Sequence, residues 1–203
     1  MSSAAAAEHH LEVDPAESPL TPESWGKLGM WTFLAADAMS FGGLLAGYGA
    51  LRYGDPTWPR PSSILGIQLT AAMTFLLVCS SVTMVEALAG IRRGNQAALR
   101  KFLMLTILGG IIFLSLQAFE WNNLIFHEGQ SIRVNNFGAT FFILTGFHGM
   151  HVFSGVVYLT CILVRAMLGK YDVHNNNEVE IVALYWHFVD LIWILVFTFV
   201  YLI

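Results

Sequence analysis

Seven ionisable side chains stand inside stretches of sequence that are otherwise apolar: Asp37, Glu86, Glu120, His148, His151, His187 and Asp190, with Glu180 at the start of the last stretch. Two pairs are three residues apart, His148 with His151 and His187 with Asp190. That spacing puts both members on one helix face, within reach of a common neighbour. Imidazoles on facing helices could ligate a haem or a metal. Carboxylates such as Asp37 and Glu120 could pass protons, and any of these groups could instead hydrogen-bond between helices. By position, His151 lies about 20 Å along the fourth apolar stretch from one end, and His187 about 12 Å along the fifth from the opposite end. Those depths could coincide, but the residue types alone lack the complete ligand pattern of a haem or dinuclear site. Asp37 sits beside Ser40 and near Gly42, Gly43 and Gly47, which would let another helix approach closely. Glu86 is expected to reach the interface or an arginine. Glu120, beside Trp121, reads as an acid at the interface.

The elements that must carry these residues follow from composition. Hydrophobic residues make up 56% of the 203, only 12% are charged, and the mean hydropathy is +0.61. A water-soluble globule would carry about twice that charge. Five of the fourteen acids (Glu8, Glu12, Asp14, Glu17, Glu23) fall in the first two dozen positions, so the remainder is nearly all compatible with lipid. Residues 1–24 form an Ala-, Ser-, Pro- and acid-rich stretch without a basic start to an apolar run. They are expected to be a disordered tail and not a cleavable signal. Thr21-Pro22-Glu23 offers a helix start, and His9 and His10 are expected to bind nothing.

Residues 25–203 are expected to form an all-α, polytopic bundle of five transmembrane helices, roughly Leu28–Leu51, Ile64–Ala89, Phe102–Trp121, Phe137–Leu168 and Val179–Ile203. Each is long enough to cross a hydrocarbon core of about 30 Å. Short connections with turn signals, such as Gly94-Asn95 and Asn175-Asn176-Asn177, predict packing between sequential neighbours. Small-residue faces in helices one, two and four (Gly42, Gly43, Gly47; Ala71, Ala72; Gly146, Gly149, Gly155) suit close packing. Lys27, Arg92, Arg93, Arg100, Lys101, Arg165 and Lys170 fall on one side, and Arg52, Arg60 and Arg133 on the other. Basic residues are retained on the cytoplasmic side, which predicts a cytoplasmic N-terminus and an external C-terminus. Trp25, Trp58 and Tyr201 are expected as interfacial anchors, and Cys79 and Cys161 as buried apolar residues. No phosphate loop, nucleophile elbow or basic nucleic-acid patch is written in the chain.

Four strings carry a resemblance. They are Gly29-Met-Trp-Thr-Phe-Leu-Ala-Ala-Asp37-Ala-Met-Ser-Phe, Leu114-Ser-Leu-Gln117-Ala-Phe-Glu120-Trp121, Thr145-Gly-Phe-His148-Gly-Met-His151-Val-Phe-Ser-Gly155, and Tyr185-Trp-His187-Phe-Val-Asp190-Leu-Ile-Trp193. In this order they resemble subunit III of haem–copper terminal oxidases, in a five-helix form that lacks the first two helices of the usual seven. Many members have Glu where this chain has Asp37, and quinol-oxidising relatives tend to have Asp. The Gln117-Ala-Phe-Glu120 segment is more similar to the cytochrome c oxidase branch.

The resemblance implies a proton-pumping oxidase of the cytochrome c type in aerobic respiration, in a bacterial plasma membrane. This chain would carry no metal or redox centre, with haem and copper held by partner subunits. It would stabilise catalytic subunit I alongside subunit II, hold structural phospholipids and support proton uptake. Cytochrome c or a cytochrome-containing complex would donate electrons. The resemblance implies that Asp37, Glu120, His148, His151, His187 and Asp190 are lipid-binding or proton-supporting groups, none of them catalytic. A quinol oxidase or nitric oxide reductase subunit is the alternative within this family. A self-contained ion channel or transporter is the alternative outside it, opposed by the lack of an internal repeat.

Overall fold

The computed structural model describes residues 25–59, 66–127 and 129–203. The expected tail, with His9, His10 and the Thr21-Pro22-Glu23 start signal, lies outside the described residues, as do Arg60 and Ile64. The described residues form five long helices: α1 Trp25–Gly54, α2 Ile67–Arg92, α3 Gln96–Phe126, α4 Asn136–Met167 and α5 Asn177–Val196. The last continues as a π-helical segment, Phe197–Leu202. All five are long and apolar enough to cross a membrane. The chain is therefore an all-α membrane-spanning bundle, as its hydropathy predicts. The largest boundary difference is α3, which runs about two turns further at its start and more than one further at its end than hydropathy alone indicates.

Capping chemistry explains the ends. The Asn95 side chain accepts from the Ala98 N–H at 3.0 Å and Asn135 from the Gly138 N–H at 2.6 Å, starting α3 and α4. Gly94 and Gly169 close α2 and α4 with φ of 75° and 70°. After each glycine the next N–H bonds five residues back, Asn95 to the Gly90 carbonyl at 2.9 Å and Lys170 to the Arg165 carbonyl at 3.1 Å. These are the bonds of a Schellman ending, which requires the left-handed conformation that glycine adopts freely. In the α4–α5 connection, backbone N–H groups of Asn175 and His174 donate to Asp172 and hold its carboxyl below the usual range.

Helices α2, α3, α4 and α5 form a closed four-helix bundle in which α5 packs back on α2. Trp186 of α5 fills its centre. A Cβ on Gly110 would lie 2.7 Å from the Trp186 ring and one on Gly155 2.9 Å from it, so both positions have room only for glycine. The indole N–H donates to Ser80 Oγ of α2 at 3.1 Å. Small residues from three helices thus make the notch for one large residue on the fourth.

Helix α1 stands apart. It packs chiefly on α4 and α5, rather than on its sequence neighbour α2. Its buried residues, Leu34, Asp37, Phe41 and Tyr48, form a narrow stripe at heptad-like spacing. The expectation of purely sequential packing fails here because the polar partners of α1, His151 and Glu180, stand on α4 and α5. The α4 glycines are packed within the chain, whereas Gly42, Gly43 and Gly47 meet no side chain within 4 Å. Ala71 and Ala72 also point outward.

The ionic residues gather at one end. Glu180 pairs with Lys27 at 3.1 Å and Arg92 at 3.2 Å, Glu178 with Arg165 at 2.7 Å, and Glu86 with Arg93 at 3.5 Å. The seven basic residues expected together are therefore on, or next to, this end. At the other end Arg52 donates to the Ile203 carbonyl. Cys79 and Cys161 are exposed on the outer surface, correcting the reading that buried them. Hydropathy places a residue in a span but does not fix which way its helix is rotated.

The packing around Trp186 makes a direct test. Gly110→Ala would set a Cβ 2.6 Å from Val156 Cγ2 and is expected to cost about 1–3 kcal/mol, read as a lower thermal midpoint in detergent. Gly43→Ala, which meets open space, is expected to leave the midpoint unchanged or slightly raised.

Candidate functional site

Asp37 lies on the buried stripe of α1, and His151 on the face of α4 turned towards it. His151 Nε2 is 3.2 Å from Asp37 Oδ1, with side-chain exposures of 13% and 8%. The other ring nitrogen, Nδ1, is 2.7 Å from the Phe147 carbonyl. A carbonyl only accepts, so Nδ1 carries a hydrogen. The Nε2 contact then needs one more proton, on the carboxyl or on the ring. The pair holds a single exchangeable proton in either arrangement without changing its net charge. Phe41 and Phe147 flank the imidazole at 5.3 and 4.7 Å between centroids. Ser154 and Tyr185 hydroxyls are 2.6 Å apart and lie 2.9 and 3.1 Å from the His151 carbonyl; with one hydrogen each, one donates to the carbonyl and the other to its neighbouring hydroxyl. Asp37 Oδ2 is buried without a hydrogen-bond partner.

His148 behaves differently. It is fully buried, neither ring nitrogen has a partner, and its surroundings are aromatic. The rings of Trp193, Phe113 and Phe41 lie 4.8, 5.7 and 6.4 Å away. The two histidines do not share a hydrogen-bonding neighbour, against expectation. Three residues of helix leave about 60° of arc between them, enough to aim His148 into the bundle while His151 faces α1.

The second pair meets α2 through one member. Ser81 Oγ of α2 is 2.6 Å from His187 Nδ1. Asp190 Oδ1 remains buried without a partner. The Trp186–Gly155 and Trp193–His148 contacts set the register of α5 against α4. In that register His187 is level with Ser154, within about 5 Å of the depth of His151. The depths nearly coincide as the sequence implied, but His187 faces α2 while His151 faces α1.

Glu120 is buried within the protein, 5% exposed, in the last two turns of α3. Thr70 of α2 donates to Oε1 at 2.9 Å and Tyr201 donates to Oε2 at 3.0 Å. Tyr201 is correspondingly buried and is no interfacial anchor, since the π-helical end of α5 turns it inward. Thr70 and Ser81 escape a reading of sequence because Ser and Thr hydroxyls in helices commonly bond their own backbone, and Tyr201 because hydropathy does not give the rotation of its helix.

Aromatic rings separate these clusters. Trp193 donates to Thr74 Oγ1 at 3.0 Å and lies against both His148 and Tyr201. Among the described residues no group of three or more His, Cys, Asp or Glu could hold a metal ion.

The family model for cytochrome c oxidase subunit III matches residues 26–203. The chain belongs to the cytochrome c oxidase subunit III family. A "Probable cytochrome c oxidase subunit 3" of Mycobacterium tuberculosis is 35% identical over 177 residues, covering 87% of each chain. "Cytochrome c oxidase subunit 3" of Thermostichus vulcanus is 33% identical over 87% of this chain and 86% of its own length. A "Probable quinol oxidase subunit 3" of Staphylococcus saprophyticus is 34% identical over 87% of this chain and 88% of its own. The subunit III family thus holds relatives named for either donor at nearly equal identity.

Tyr201→Phe removes a donor from a buried carboxyl and is expected to cost about 1–3 kcal/mol, measured by thermal unfolding in detergent. A midpoint unchanged from native would mean that water, rather than Tyr201, satisfies Glu120.

Proposed function

We propose that the chain serves as subunit III of a proton-pumping haem–copper terminal oxidase of the cytochrome c type, in aerobic respiratory electron transport. The observation that carries this is the family match, which takes in every membrane-spanning helix. In this role the chain has no redox centre. It stabilises catalytic subunit I beside subunit II, holds phospholipid and supports proton uptake, while haem, copper and the electron donor belong to its partners. The quinol-oxidase reading is kept as the second, because the Staphylococcus saprophyticus relative carries that name. The clustering of cationic residues at one end supports a cytoplasmic N-terminus and an external C-terminus in the plasma membrane.

Proton support rests on Asp37, Glu120, His148, His151, His187 and Asp190, with the Asp37–His151 pair as its best-formed unit. Its proton can sit on either partner without changing the net charge of the pair. Asp37→Asn keeps the contact, since an amide N–H can donate to Nε2, but removes the exchangeable carboxyl proton. The variant is expected to assemble and to begin oxygen reduction at nearly the native rate, then lose activity faster during turnover. Oxygen-electrode traces followed over many turnovers test this. Inactivity from the first turnover would assign Asp37 a direct catalytic role instead.

Purification in mild detergent tests the wider reading. Soret absorbance is expected to travel with a larger partner and to be absent from this chain alone. Stoichiometric haem on the isolated chain would overturn it.

A further inference from the structure

A groove lies on the outer face of α3, away from the buried carboxylates and histidines. Its volume is about 740 Å³, and its lining includes Arg100, Lys101, Met104, Leu108 and Ile111 of α3, with Leu163 of α4 as part of the far wall. The α3 residues recur at helical spacing and form one stripe. Both cations stand at one end of it, and the rest is apolar. From Arg100 to Ile111 the stripe descends about 16 Å, close to the depth of one leaflet of a hydrocarbon core about 30 Å thick.

The cationic end is also built. Arg100 Nε donates to the Ala166 carbonyl at 3.2 Å, which fixes the guanidinium across the mouth between α3 and α4. Its Nη groups remain as donors in the planar fork that suits phosphate. The Lys101 ammonium lies 5.7 Å from the centroid of the Phe102 ring, so its charge stays at the same level. Below them Met104, Leu108 and Ile111 are exposed at 58%, 51% and 46%.

We infer that this groove is a binding site for an anionic phospholipid, with the phosphate on Arg100 and Lys101 and one acyl chain along Met104, Leu108 and Ile111. Positive charge at the mouth selects the headgroup, and an apolar channel one leaflet deep selects a chain. The inference deepens the lipid-holding part of the proposed function by giving it a place. It depends on the chain spanning a bilayer, not on which oxidase it serves.

The test uses the full chain in detergent and native mass spectrometry with added phosphatidylglycerol, phosphatidylcholine or inorganic phosphate. Phosphatidylglycerol carrying a photoreactive acyl chain then maps the contact. Phosphatidylglycerol is expected to be retained in preference to phosphatidylcholine and to cross-link at Met104, Leu108 or Ile111. The R100Q/K101Q double variant is expected to weaken retention by about tenfold or more. Leu108→Trp, which fills the channel without touching the charge, is expected to abolish the cross-link, whereas Arg93→Gln at the same end leaves retention unchanged. Equal retention of both lipids, cross-links elsewhere, or competition by inorganic phosphate as effective as unlabelled lipid would overturn the site. Because binding is read on the isolated chain, its failure leaves the co-purification test of the oxidase role standing.

Discussion

Lipid tails are as apolar as a leucine side chain, so removing apolar surface from them gives five helices little reason to associate. Close fit and interhelical hydrogen bonds must supply the attraction. Trp186 supplies both. Its ring occupies space that any side chain on Gly110 or Gly155 would take, and its N–H finds Ser80. With that contact in place α2, α3, α4 and α5 share one centre, and the register of α5 against α4 is fixed. That register in turn sets Trp193 beside His148 and brings the π-helical end of α5 over Glu120. The placement of His148 and Glu120 within the four-helix bundle therefore goes with one aromatic residue in a notch of small ones.

The same solvent explains why polar residues are joined across helices rather than left to lipid. A carboxyl or imidazole in hydrocarbon has only the protein to bond with. Glu120 takes hydroxyl donors from α2 and α5, and His187 meets Ser81 of α2. For α1 the constraint determines its position. Its buried stripe has four residues, too few to hold it by packing alone. The Asp37–His151 contact in the span and the Lys27–Glu180 pair near its start fasten it to α4 and α5.

Helix number and type were legible because the bilayer imposes length and apolarity on each span. The spacing of His187 and Asp190 put both within the last span, where Ser81 of α2 meets His187. Rotation was not legible. Cys79, Cys161 and Tyr201 were each assigned the wrong surroundings, because nearly uniform hydrophobicity around a membrane helix leaves no contrast between faces. The end of α3 was misplaced for another reason, since the turns beyond Trp121 include Asn122 and Asn123, which lower the hydropathy without ending the helix. The family resemblance rested on whole strings of residues and did not depend on rotation.

The separation of the clusters bears on what they can do. A relay across a membrane needs donors and acceptors in succession, each within hydrogen-bonding distance of the next. Here Trp193, Phe113 and Phe41 surround His148, and both its ring nitrogens are unpartnered. His148 thus stands among aromatic rings between the polar clusters, with Glu120 and its two hydroxyls on one side and Asp37 with His151 on the other. Under the proposed role, proton support falls to the pair on the face of α1, where the carboxyl is nearly closed from outside and its partner is somewhat less so, rather than to a path through the bundle.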